Sequence, residues 1–128
     1  MPKASKESVT EVRDYGVAED RTGDLDGYTV NFVSIRQDHD LAPMLSGLPG
    51  GRCSCPHWGY VLKGRMIVRY ADHEEVCEAG DAFYLPPGHV PFSHEPGTEI
   101  VQWSPSEELR QTDEAIMRNM KAMQAAQA

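Results

Sequence analysis

The sequence predicts an all-β domain, a sandwich or a small barrel, with a polar arm before it and one helix after it. Three observations support this prediction. The chain has 128 residues, which suits a single domain. From residue 28 to residue 103, short segments rich in β-branched and aromatic residues are separated by turn signals at intervals of roughly eight to twelve positions. Beyond residue 103, the apolar residues recur at helical spacing instead.

The first 27 residues are polar and dense in charge, with only scattered apolar side chains. Segments of this kind at a chain end are poorly ordered unless another element ties them down. We therefore expect residues 1–27 to form a polar N-terminal arm, or one edge strand laid on the body of the domain or on a partner subunit.

Residues 28–103 are expected to form the β body. Residues 28–35 alternate in polarity, as a half-buried strand does. Residues 59–62 and 65–70 flank a Lys63-Gly64 turn, and this arrangement predicts a hairpin. Further short strands follow, separated by turn signals at Gly80-Asp81, Pro86-Pro87-Gly88 and Pro96-Gly97.

Residues 104–128 predict a C-terminal amphipathic helix. Ser104 can cap its first turn, Pro105 suits the first helical position, and Glu107 completes a Ser-x-x-Glu capping box. The apolar residues that fall close to one face of this helix are Leu109, Ile116, Met120 and Met123. We expect that face to be buried on the barrel or at the seam of a homodimer.

The charge balance argues against two classes of partner. Twelve basic and twenty acidic residues give a net charge of −8. Such a surface repels a nucleic-acid backbone and an anionic membrane, so neither is an expected partner. No apolar run approaches the roughly 18 residues that span a bilayer, and no secretory signal is recognised at the N-terminus. We expect a cytoplasmic protein whose three cysteines are reduced.

Four residues are candidate metal ligands. Cys53, Cys55 and His57 are spaced by two, so in an extended chain their side chains point to the same face. His89 follows the Pro86-Pro87-Gly88 break and offers a ligand from a second strand. Thiolate and imidazole are the donors that zinc and other borderline transition metals prefer. The pattern therefore predicts a Cys/His metal site.

The same residues also allow purely structural interpretations. The two cysteines of the Cys-x-Cys pair can be buried simply as small apolar side chains, and Cys77 is expected to be structural. His94, five positions beyond His89, is either a further ligand or a hydrogen-bonded structural histidine. The sequence leaves these alternatives open.

The segment from Gly51 to Ser93 resembles the cupin family. That family has two sequence motifs, and the spacing of Gly80, Pro86 and Gly88 matches the start of the second in full. Tyr60-Val61-Leu62-Lys63-Gly64 matches the end of the first. The resemblance implies a small double-stranded β-helix, or jelly-roll barrel, with a metal held inside it.

The family's ligand positions are occupied by other residues here. The position of the family's glutamate falls on His57, its second histidine on Cys53, its first on Gly51 and its last on Pro91. Two of these substitutes are good metal ligands, so we predict a rebuilt site of Cys53 or Cys55 with His57 and His89. Water or the second cysteine would complete it. This softer ligand set favours zinc, with nickel, copper or iron as alternatives. The competing interpretation is a cupin that has lost its metal and kept a binding cavity.

The resemblance leaves two functions open. One is a metal-dependent enzyme that acts on a small organic molecule, with Glu99, His94 and Tyr84 as candidates for a general acid or base. The other is a non-catalytic module that binds a small molecule or senses a metal or redox state. The fourth metal position distinguishes them, because water there favours catalysis and a second cysteine favours a closed site. In either case we expect a homodimer.

Overall fold

The computed structural model describes residues 3–127. These residues form nine β-strands, two short 3-10 helices at Ala42–Leu45 and Pro49–Gly51, and one α-helix. The strands are β1 (Glu11–Asp14), β2 (Ala18–Leu25), β3 (Tyr28–Ile35), β4 (His57–Lys63), β5 (Arg65–Arg69), β6 (Glu74–Glu78), β7 (Ala82–Leu85), β8 (Val90–His94) and β9 (Glu99–Pro105), and the helix α1 is Ser106–Gln127.

The strands build two antiparallel sheets that face each other. The larger sheet has the order β1-β2-β3-β9-β4-β7, and the smaller has the order β6-β5-β8. The apolar side chains that fill the space between them come from both sheets: Val61, Met66, Val68, Cys77, Leu85 and Ile100. The prediction of an all-β barrel of the jelly-roll type with a C-terminal helix is confirmed.

Strand β4 has one buried face and one exposed face. His57, Gly59 and Val61 are buried, whereas the alternate residues Trp58 and Tyr60 are exposed on the outer face. Gly59 is required by close packing, because a Cβ there would overlap the ring of Phe83 and the carbonyl oxygen of Val101.

The N-terminal segment forms two strands, where the sequence predicts an arm or a single edge strand. Strand β2 pairs with β3 over its whole length, and β1 adds a further edge strand. Charged side chains bridge these strands and the next segment, as in the 2.7 Å contact between Arg36 Nη1 and Asp14 Oδ1. The high charge that argues against ordered structure is therefore accommodated along a solvated sheet edge.

Helix α1 begins later than its sequence signals predict, and the expected Ser104 cap is wrong. Ser104 is fully buried within β9, where it pairs with Thr29, and the helix starts at Ser106. The backbone N–H of Ser106 donates instead to the carbonyl of Gly27, at 3.0 Å. Sheet pairing therefore extends β9 through Pro105.

Neither α1 nor any other helix of residues 3–127 combines the length and apolar character needed to cross a bilayer.

Candidate metal centre

Two chain segments meet at one end of the barrel and bring three of the predicted ligands together. Cys53 precedes β4 and forms an isolated bridge with His89, in which the Cys53 N–H donates to the His89 carbonyl at 3.0 Å. Gly88, with a φ of 101°, turns the chain between the proline pair and His89. His57 is the first residue of β4, directly after the Cys53 segment.

The donor atoms of Cys53, His57 and His89 all lie within 4.8 Å of one another. The Sγ of Cys53 is 3.6 Å from Nε2 of His57, and the two imidazole rings meet edge to face with centroids 4.8 Å apart. The three residues expose only 3%, 6% and 0% of their surface, respectively. One small ion can therefore contact all three side chains at once.

His89 is held with one ring nitrogen committed and the other free. Its Nδ1 lies 2.7 Å from the carbonyl oxygen of Pro86, which can only accept, so Nδ1 carries the proton. Nε2 then bears the lone pair, and it is buried without a hydrogen-bond partner among the described residues. Buried polar atoms rarely lack a partner, whereas an imidazole bound to a metal commonly has this arrangement.

His57 has the same arrangement with a side-chain partner. Its Nδ1 lies 2.5 Å from Oγ of the buried Ser104. When Nδ1 donates to that hydroxyl, the lone pair of Nε2 faces Cys53 and His89. This role of Ser104 is not evident from the sequence, because its position before Pro105 and Glu107 indicates a helix cap.

Electrostatics keep the imidazoles neutral and the thiol protonated while no cation is present. Burial, with a smaller effect of neighbouring His89, lowers the pKa of His57 to about 3. Burial also lowers the pKa of His89 and raises the pKa of the Cys53 thiol. Neutral imidazoles present lone pairs at neutral pH, and a divalent cation would favour the thiolate of Cys53.

Cys55 lies close to this group but not within it. Cys53, Cys55 and His57 are all buried, but the chain bends at Cys55 and its thiol is not among the grouped donor atoms. The Cys55 thiol is fully buried and donates to the Pro56 carbonyl at 3.4 Å. Burial and neighbouring Cys53 raise its pKa to about 12. Its surroundings are those of a small apolar core side chain.

The remaining candidates lie elsewhere in the described residues. His94 is buried in β8, where its Nδ1 is 3.0 Å from the His39 carbonyl oxygen and its ring stacks on that of His39. Glu99 pairs with Lys63, and Tyr84 is exposed on the outer face of the larger sheet. None of the three joins the Cys53, His57 and His89 group, within residues 3–127.

Helix α1 covers the centre. Leu109 of the helix packs with Cys53, Cys55 and Val90, and Ile116 lies against the same cluster. A groove of about 670 Å³ runs between the N-terminal strands and the side of α1 that faces them. It is lined by charged side chains of both walls and, within the described residues, by none of the three grouped side chains.

Comparisons with known proteins agree on the fold. Residues 56–104 match a family model described as the AraC-like ligand binding domain. An RmlC-like cupin from Shewanella frigidimarina has 20% identity and a TM-score of 0.54, with 80% of this chain and 88% of that chain covered. A protein of unknown function from Rhizobium leguminosarum has 18% identity and a TM-score of 0.59, with 81% and 94% covered.

A third similar structure is that of a Streptomyces PAC13 variant with uridine. It has 16% identity and a TM-score of 0.56, and 80% of each chain is covered. No curated protein matches the chain significantly in sequence. Identities this low carry information on the fold alone. The resemblance found in the two sequence motifs is confirmed, and the chain has the fold of the cupin superfamily.

Proposed function

We propose that this protein is a small metal-binding cupin in which Cys53, His57 and His89 hold one divalent transition metal ion. The observation that carries the proposal is the buried, unpartnered Nε2 of His89, which lies beside the Cys53 thiol and Nε2 of His57. A bound cation would satisfy this atom. Without a cation, burying it costs about 1–3 kcal/mol.

Zinc is the metal we propose, with nickel, copper or iron as alternatives. One thiolate and two imidazoles form a ligand set of intermediate softness, which suits zinc and excludes hard cations such as Mg²⁺. Three protein ligands leave a fourth position. We assign it to water or to a donor atom of a small molecule, because the Cys55 thiol is already engaged with the Pro56 carbonyl.

The biochemical function we favour is that of a binding module for a small organic molecule that reaches the metal. The matching family model describes a ligand-binding domain, and the PAC13 structure pairs the same fold with uridine. The burial of the centre argues against general acid–base catalysis there, as do the other contacts of the three candidates: His94 with His39, Glu99 with Lys63, and Tyr84 on the outer face of the sheet. A metal-dependent enzyme is the second candidate, favoured by the three-ligand count that catalytic zinc sites share.

We also propose a cytoplasmic homodimer that pairs through the outer face of the larger sheet. Trp58, Tyr60, Tyr84 and Trp103 lie side by side there and remain 36–48% exposed. At about 150–250 Å² for each aromatic side chain, they offer on the order of 300 Å² of aromatic surface, a large share of the roughly 800 Å² that one partner contributes to a standard interface. All three cysteines are free, as expected in a reducing compartment.

The metal proposal is tested by elemental analysis of protein purified without chelators. We expect one equivalent of metal in the wild type and its loss in Cys53→Ser, His57→Ala and His89→Ala. Cys77→Ser is the matched control, because Cys77 is buried in the separate core between the sheets. A wild type that contains no metal and takes up none would overturn the proposal.

A further inference from the structure

We propose that helix α1 is a lid coupled to the metal, and that Thr112 is the positioning residue through which the lid holds the Cys53 sulfur. The inference rests on the proposed metal site and goes beyond it, because it adds an element that supplies no ligand. It predicts that loading the metal tightens α1 on the barrel, and that loosening α1 weakens metal binding.

The contact between the helix and the sulfur is direct. Oγ1 of Thr112 lies 3.4 Å from Sγ of Cys53, and Thr112 is 4% exposed. The hydroxyl has no other side-chain hydrogen bond among the described residues. Threonine is also a poor residue for a helix interior, so helical propensity does not explain its presence on the buried face.

The strength of this contact depends on the state of the sulfur. Either atom can donate while Cys53 is a thiol, whereas a thiolate bound to a metal can only accept, and it then receives a stronger, charge-assisted bond from the Thr112 hydroxyl. Metal loading therefore strengthens the bond from Thr112 to Cys53. Linkage is reciprocal, so the same bond must strengthen metal binding.

The other attachments of α1 make it a separable element. Leu109 and Ile116 pack on the apolar cluster around Cys53, and the Asn119 amide donates to the carbonyls of Met44 and Ser46 at 2.7 and 2.8 Å. The side of α1 that faces the N-terminal strands borders the groove, and Leu109 lies at the boundary between the groove and the core. These contacts lie between Ser106 and Asn119, whereas residues 121–126 of the 22-residue helix are exposed.

An ion pair between the next residue of the helix and β1 connects the lid to the N-terminal strands. Asp113 follows Thr112 and meets Nη1 of Arg13 of β1 at 3.2 Å. The three candidate ligands are at most 6% exposed, and α1 contributes Leu109 and Thr112 to their cover. A small molecule that is to reach the fourth metal position must therefore displace part of that cover. The lid thus controls access to the site.

The test compares the wild type with Thr112→Val, which keeps the side-chain volume but removes the donor, and with Thr112→Ser, which restores it. Zn²⁺ affinity is measured by competition with a chromophoric chelator, and Co²⁺ is used to record the thiolate-to-metal charge-transfer band. Amide hydrogen exchange of residues 106–127 is followed with and without Zn²⁺. Thermal unfolding checks that each variant is folded.

We expect Thr112→Val to bind Zn²⁺ about tenfold more weakly and to shift the Co²⁺ charge-transfer band, because a hydrogen bond to a charged acceptor is lost. Thr112→Ser should restore both. Zn²⁺ should slow exchange in α1 of the wild type, and should do so less in Thr112→Val.

Wild-type affinity and an unshifted band in Thr112→Val would overturn the role of Thr112 while leaving the metal site intact. Exchange in wild-type α1 that does not respond to Zn²⁺ would overturn the lid, even if Thr112→Val failed to fold. A wild type that binds no metal would overturn both the site and the lid.

Discussion

Replacing Ser104 by alanine is predicted to weaken metal binding without touching a metal ligand. Ser104 Oγ lies 2.5 Å from Nδ1 of His57, and both residues are buried. In the metal-free variant the imidazole can move its proton to Nε2, which lies 3.6 Å from the Cys53 sulfur. A metal on Nε2 forces the proton back to Nδ1, where alanine leaves it without an acceptor.

The free-energy cost of Ser104→Ala therefore applies mainly to the metal-bound state. A buried donor without an acceptor costs about 1–3 kcal/mol, and removal of such an outer partner typically lowers metal affinity about 10- to 100-fold. We expect a loss in that range, measured by competition with a chromophoric chelator. Ser54→Ala is the matched control, because Ser54 is exposed between the two cysteines. Unchanged affinity in Ser104→Ala would refute the assignment of His57 as an Nε2 ligand.

Three further predictions concern stability and assembly. Burial is the main cause that raises the pKa of Asp20, from 3.8 to about 6, so this group makes the folded state lose stability as pH rises from about 4 to about 6. Asp20→Asn should therefore raise the free energy of unfolding at pH 7 by about 1–3 kcal/mol and flatten its pH dependence, because the neutral amide has no charge to bury and its oxygen can still accept from Nδ2 of Asn31. Chemical denaturation that shows an unchanged pH profile would contradict this. Gly59→Ala should cost about 2–3 kcal/mol, because the new Cβ meets the Val101 carbonyl, and a wild-type denaturation midpoint would show that the packing argument is wrong. Trp103→Glu should convert a dimer to a monomer in light scattering, whereas a monomeric wild type would rule out pairing through this face.

Local sequence signals predicted turns better than strand pairing. The strand and turns from Gly80 to Gly88 depend on backbone geometry within a few residues, and they are confirmed. The hairpin predicted around Lys63-Gly64 is wrong, because β4 lies in the larger sheet and β5 in the smaller one, and the two strands do not pair. The helix start was wrong because the signals at Ser104 are also local. They could not reveal that pairing between β3 and β9 extends the strand through Pro105.

The candidate site was only partly predictable, because its neighbours come from distant parts of the chain. Residue chemistry identified Cys53, His57 and His89, but strand parity could not show that the chain bends at Cys55. Ser104 and Thr112 are 47 and 59 positions from their partners His57 and Cys53. No local pattern marks a serine or a threonine for such a role, so only the folded structure reveals it.

X-ray absorption at the zinc edge of the zinc-loaded protein tests the proposed ligands directly. The proposed site predicts one sulfur at about 2.3 Å and two imidazole nitrogens at about 2.0–2.1 Å, with one further light donor. Loss of the sulfur shell in Cys53→Ser, but not in Cys55→Ser, would identify the thiolate as that of Cys53. Two sulfurs in the wild type, or a shell of oxygen atoms without imidazole, would contradict the proposed ligand set.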